Sequence, residues 1–255
     1  MTLAAETETK LTHGWLQTPL ARSLLEQEQR VVEEALDGIF GEHCLQLGLW
    51  GDHDSFLGYA RTQRRNCLAE DAAQVNGVGI VGKLHKLPIA SESVDAVLLP
   101  HTLEFSSRPH AILREVHRIL RSDGHLIVLG FKPGGFWGVR RLLPGAAMPP
   151  GTDQLISDRR LRDWLNLLDL RIHGVTRYFF RWPLPGNGGP SSQLWENRGQ
   201  RWWPELAACY MLSAQKRTYT LTSVKKAPWR ARPKVVGALV KPTTRNSRIR
   251  FDKNN

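Results

Sequence analysis

Two predominantly apolar runs flank a stretch with helical periodicity, and this arrangement restricts the fold more than any other feature. The runs are Val94–Pro100 (VDAVLLP) and residues 125–131 (HLIVLGF). Between them, Ile112, Leu113, Val116, Ile119 and Leu120 recur at three- and four-residue steps within residues 108–121. A short run that is apolar at nearly every position fits a strand buried on both faces, and the three-to-four spacing is that of an amphipathic helix. Pro109 stands where a first-turn proline is tolerated, because its missing N–H would be unpaired there anyway. A parallel strand pair needs a crossover of about this length. The segment therefore predicts a strand–helix–strand unit, closed by a turn at Ser122–Gly124.

The rest of the chain extends the alternation. Residues 14–40 predict a helix with Pro19 in its first turn. Its buried stripe comprises Leu20, Leu24, Leu25, Val31, Val32, Leu36 and Ile39. Residues 44–48 (CLQLG) predict a buried parallel strand, and 66–70 and 78–82 predict weaker ones. Ser157 caps a helix over 158–170, since its side-chain oxygen accepts from an unpaired N–H. Strands follow at 171–180 and 206–218, the latter begun by a short helix. Strands alternating with helices mean an open α/β, doubly wound, mostly parallel sheet covered on both faces. The last two strands lack a long crossover helix, which suits one antiparallel partner at the sheet edge.

Charge divides the 255 residues into three parts. Residues 1–42, a helical lead, hold three Lys/Arg and eight Asp/Glu, whereas the body, 43–224, holds 22 and 15. Residues 225–255 hold ten basic residues and one acidic, so this tail carries most of the net charge of +11. A tail of this composition is disordered when unbound. It either solubilises the chain or contacts polyanions such as nucleic acid by counterion release. No apolar stretch approaches the roughly 18 residues needed to span a bilayer. The N-terminus is acidic where a signal peptide would be basic. Three scattered cysteines, Cys44, Cys67 and Cys209, form no metal pattern and predict a reducing, cytoplasmic setting.

In a doubly wound sheet, ligands bind beyond the C-terminal strand ends. Those ends are residues 47–52, 83–88, 99–105 and 129–135, and residues 82–131 contain an ordered set. It comprises Leu87–Pro88, Val94–Asp95–Ala96–Val97, His101–Thr102–Leu103–Glu104, then Glu115, Arg118, Leu120 and Gly124. This set resembles the second half of the type-11, S-adenosylmethionine-dependent methyltransferase domain. The flanks are similar to a bacterial subgroup of that superfamily with a degenerate first glycine loop. The resemblance implies the seven-stranded class I methyltransferase sheet, S-adenosylmethionine as cofactor, and an unidentified small-molecule or macromolecular methyl acceptor.

The first half departs from the family pattern. The family carries an acid in its first strand and then G-x-G-x-G, because glycines let backbone approach the cofactor. Here Gln46 replaces the acid, Gly48 remains, Trp50 stands at the second glycine and Gly51 is out of step. Trp50 could occlude the methionine or ribose position, or fold outward. Glu70 lies 22 residues beyond Gly48, near the separation expected of a ribose-binding acid. Only eight residues separate Glu70 from Gly79, so the second crossover is shortened. Lys83 stands where the family often has an Asp near the adenine amine, and it cannot accept from that amine. Leu84 offers a backbone N–H instead. The resemblance thus implies cofactor contacts at Leu47, Gly48, Leu49, Trp50, Gly51, Glu70, Lys83, Leu84, Pro100 and His101.

Methyl transfer from a sulfonium needs alignment in a dry pocket, and a base only where the nucleophile carries a proton. His101, at the mouth of the fourth strand, is either that catalytic base or substrate contact, or a residue that merely ends the strand. Glu104 either orients a substrate or caps the following helix. FWGVRRLLP (136–144) reads as a substrate lid or partner surface. The rival function is a non-catalytic binding protein on a lapsed methyltransferase fold, associated with nucleic acid through its tail. Gln46, Trp50 and Lys83 favour that rival.

Overall fold

The computed structural model describes residues 14–70, 79–135, 137–138, 152, 154–180, 199 and 201–217. The chain divides into two units, 1–218 and 219–255, and the second lies outside the described residues. The expectations for residues 225–255 and for most of 136–144 therefore also lie outside them.

Helix α1 (Pro19–Leu36) starts with proline at its first position, and Thr18 Oγ1 accepts from the Ala21 N–H at 3.3 Å. Strand β1 (Phe40–Leu47) follows, then a single turn of helix, α2 (Asp54–Leu57), and β2 (Arg61–Ala69). β2 begins five residues earlier than its apolar end suggested. Its first half exposes Arg61, Arg64 and Arg65, and its apolar residues are buried only in the last three positions. β3 is the two residues Ile80–Val81. Then come β4 (Val94–Pro100), α3 (Pro109–Ile119) and β5 (Leu120–Phe131). The expected turn at 122–124 is a loop-out within β5. Asp123 takes φ +64°, and the pairing with β4 shifts between Val94 and Ala96. Helix α4 (Asp158–Leu167) is capped by Ser157, whose Oγ accepts from the Arg160 N–H. β6 (Leu170–Tyr178), a 3-10 turn (Pro204–Leu206) and β7 (Cys209–Lys216) complete the described fold.

The strands form one seven-stranded sheet in the order β3-β2-β1-β4-β5-β7-β6. Neighbours from β3 to β5 are parallel, while β7 is antiparallel to both β5 and β6. This corrects one expectation, since the antiparallel strand is not at the edge. Residues 209–212 of β7 are buried and suit a place paired on both sides. β6 alternates exposed and half-buried positions and suits the rim. Each face of the sheet carries its own apolar cluster. One contains α1 and α2, and the other contains α3 and α4. Ile112, Leu113, Val116 and Ile119 of α3 are fully buried, at about 1.5–3 kcal/mol each.

Candidate functional site

The strand order reverses between β1 and β4, because β1 runs on to β2 and β3 in one direction and β4 to β5 in the other. A crevice at the carboxyl ends of these strands is the ligand position in such a sheet. All ten residues implied for cofactor contact lie along these ends, but they differ in access. Glu70 and Lys83 are exposed, and Gly48, Leu49, Gly51 and Leu84 are half-buried. Leu47, Trp50, Pro100 and His101 are buried.

The loop after β1 turns sharply. Gly48 takes φ +79°, and a Cβ there would lie 3.1 Å from Thr102 Oγ1. Thr102 Oγ1 in turn donates to the Leu47 carbonyl, tying the end of β4 to that of β1. Gly51 also takes φ +79°, with Ser55 Oγ only 2.7 Å from where its Cβ would stand. Gln46, which replaces the family's acid, donates from Nε2 to the Gly48 carbonyl at 3.0 Å. Its Oε1 is buried without a hydrogen-bond partner. At the end of β2, the Glu70 carboxylate accepts from the Leu84 N–H at 3.0 Å. Helix α3 holds the Lys83–Ser91 loop in place. Glu115 accepts from the Leu87 N–H, and Arg118 donates to the Leu87 and Ile89 carbonyls.

On the other side of the reversal lies a buried polar cluster. His101 Nδ1 is 2.9 Å from Glu104 Oε2, and His101 Nε2 is 2.8 Å from Glu28 Oε1. Glu28 also accepts from Trp50 Nε1 at 2.7 Å and from the Tyr178 hydroxyl at 3.3 Å. Glu104 Oε1 accepts from the Phe131 N–H at 2.7 Å. The imidazole lies between aromatic rings, 4.1 Å from Phe131 in a stacked contact and 4.5 Å from Trp50. An aromatic layer extends outward through Trp15, Phe105 and Trp137.

Burial alone would lower the His101 pKa, but the two carboxylates outweigh it and push it up to about 9. Burial lifts the Glu104 carboxyl above its usual range, against the opposing pull of His101 and the Phe131 N–H. An imidazole facing two carboxylates donates to both only as the imidazolium. His101 is therefore no exposed base at the mouth of β4. Both its nitrogens are committed and its side chain is inaccessible. Glu104 does not cap α3 either: no side chain caps that helix.

Glu28 and Tyr178 were not legible as site residues. Glu28 carried one signal, since it falls on the apolar stripe of α1, four residues after Leu24 and three before Val31. Among the described aromatic residues from the end of β6 onward, Tyr178, Phe179 and Phe180 are buried, whereas Trp202 and Trp203 are exposed. No group of His, Cys, Asp or Glu among the described residues has metal-binding geometry. A cavity of about 400 Å³ lies under α1 against β5, β6 and β7, lined by Val31, Gly38, His125, His173 and Ser213 among others. It includes none of the cofactor candidates.

The strand order is that of a class I methyltransferase fold. Residues 56–128 match the family described as a methyltransferase domain. An uncharacterised Escherichia coli K12 protein, YafS, is 29% identical over 209 residues, covering 82% of each chain. The ubiquinone/menaquinone C-methyltransferase of Rubrivivax gelatinosus is 29% identical over 108 residues, 38% of this chain and 42% of that one. A Thermotoga maritima structure described as an S-adenosylmethionine-dependent methyltransferase superposes with a TM-score of 0.62 at 19% identity. It covers 80% of this chain and 94% of that one. A geranyl diphosphate methyltransferase solved with S-adenosylmethionine superposes at 0.54 with 15% identity, covering 80% and 94%.

Proposed function

We propose that the protein transfers a methyl group from S-adenosylmethionine, held along the β1–β4 ends, to an acceptor that needs no base to attack. The observation that carries this reading is the left-handed turn at Gly48 beside an exposed carboxylate, Glu70, on the adjacent strand end. The residues present suit the nucleoside half of the cofactor. Glu70 can accept from ribose hydroxyls through the carboxylate oxygen that the Leu84 N–H does not engage. On the amino-acid side, Gln46 Oε1 is a buried acceptor without a partner, suited to an ammonium group. The space between the β1 loop and His101, however, is taken by Trp50. When bound, the cofactor supplies an activated methyl with a neutral leaving group. Because the His101 nitrogens are committed, the chain's own work is alignment and exclusion of water.

Calorimetry with S-adenosylhomocysteine tests the reading. Replacing Glu70 with Ala removes a charged acceptor worth about 1.5–3 kcal/mol, so affinity should fall roughly 10- to 100-fold. Unchanged affinity would remove Glu70 from the site. Absence of binding by the unaltered chain would favour the non-catalytic reading.

A second reading concerns residues 225–255, whose ten basic residues against one acidic favour contact with nucleic acid alongside methyl transfer. A cytoplasmic setting is supported by the cysteine usage, with Cys44 and Cys67 buried as thiols. No helix among the described residues is long and apolar enough to cross a membrane.

A further inference from the structure

The second position after Gly48 is where close approach of a ligand asks for bare backbone, and there the chain carries its largest side chain. The Trp50 indole is 1% exposed. Its Nε1 donates to Glu28 Oε2 at 2.7 Å, and Glu28 belongs to α1, which precedes the matched methyltransferase domain. The ring packs 4.5 Å from His101, the first residue after β4, and 5.9 and 6.0 Å from Phe105 and Phe131. Trp15, just before α1, covers its outer side at 5.8 Å. The indole thus lies over the reversal between β1 and β4, where a ligand in this sheet sits. The end of β2 is different. Glu70 there is exposed, as is Lys83 beyond β3.

We infer that Trp50, clasped by Glu28, is a plug in the amino-acid half of the cofactor groove, and that this half is filled by cofactor only when the indole and the N-terminal helix part. The inference rests on reading the groove as an S-adenosylmethionine site. Displacing the indole exposes a buried aromatic surface and breaks a hydrogen bond to a carboxylate, a strong class of bond. A ligand that needs this rearrangement binds more weakly by the fraction of molecules that are open. A nucleoside lacking the amino-acid end carries no such penalty. The latch also explains the composition of the cluster. Glu28 is held from three sides by Trp50, His101 and Tyr178, so a residue of the lead helix is tied to the β1 loop, β4 and β6 together.

The experiment compares S-adenosylhomocysteine with 5′-deoxy-5′-methylthioadenosine, which lacks the amino-acid end, by calorimetry on the full chain and on Trp50→Gly, Trp50→Phe and Glu28→Gln. The two ligands should bind the unaltered chain within about threefold of each other. Trp50→Gly should tighten S-adenosylhomocysteine at least tenfold and leave the nucleoside within threefold. Trp50→Phe and Glu28→Gln, which keep bulk but loosen the clasp, should give smaller gains in the same direction, and they decide the matter if the glycine variant does not fold. Amide exchange across residues 14–36 should rise with S-adenosylhomocysteine and not with the nucleoside. The plug is overturned if S-adenosylhomocysteine binds the unaltered chain at least tenfold tighter than the nucleoside and protects 14–36. Trp50 is then a wall of a working site, and the cofactor reading stands. If neither ligand binds the unaltered chain or any folded variant, the plug and the cofactor reading both fall.

Discussion

His101 adopts φ +55°, a left-handed conformation that costs energy for a residue with a Cβ. The strain is held by its N–H bonding to the Leu129 carbonyl and by both ring nitrogens reaching carboxylates. Its pKa, raised to about 9 in the fold, makes stability depend on pH. A group whose folded pKa lies above its unfolded value contributes fully below the unfolded value, about 6.5, and loses that contribution as pH rises through the folded one. The urea midpoint should therefore fall between about pH 6.5 and 9.5, and His101→Gln should remove that part of the slope. A slope unchanged in the variant would mean that the imidazolium is not what holds the cluster. The sequence showed His101 at a strand mouth but not its partners, because Glu28 lies 73 residues away and carries no motif.

At the scale of elements, the family-like Glu115 and Arg118 form a clasp. Arg118 lowers the Glu115 pKa by direct hydrogen bonding, and the two together tie α3 to the loop carrying Leu87 and Ile89. Arg118→Leu leaves two part-buried carbonyls and a carboxylate without their donor, at about 1–3 kcal/mol. A Tm lowered by several degrees is expected. Weaker nucleoside binding should accompany it, because Leu84 lies in the same loop, while a variant with unchanged Tm and affinity would show the clasp to be dispensable. Glu115 has a lowered folded pKa, so its contribution is present above its ordinary value near 4.5 and is lost as pH falls through the depressed one. These elements were legible because α3, β4 and β5 are dictated by local apolar periodicity. β2 was half legible, because its exposed arginine-rich start carries no apolar signal and is held as strand by pairing with β1 alone.

For the whole molecule, charge and fold separate. The body supplies the sheet and the crevice, while most of the excess positive charge stands in residues 225–255. Deleting those residues should abolish salt-sensitive polynucleotide binding while leaving S-adenosylhomocysteine affinity unchanged. Neutralising about six phosphate contacts would give a logarithmic salt slope near −5 that vanishes in the deletion, and a slope surviving the deletion would move the footprint to the body. Taken alone, the sequence determined the alternation of strands and helices, the doubly wound class, the crevice-forming strand ends and the oddity of Trp50. The first three follow from local periodicity, turn chemistry and spacing, and the last from the resemblance to the methyltransferase pattern. Only the tertiary structure decided that β7 lies inside β6, that His101 is buried between two carboxylates, and that Trp50 points inward to Glu28. Those outcomes depend on which distant side chains share a buried volume, where a polar group must find a partner or remain in water, and no local pattern encodes that choice.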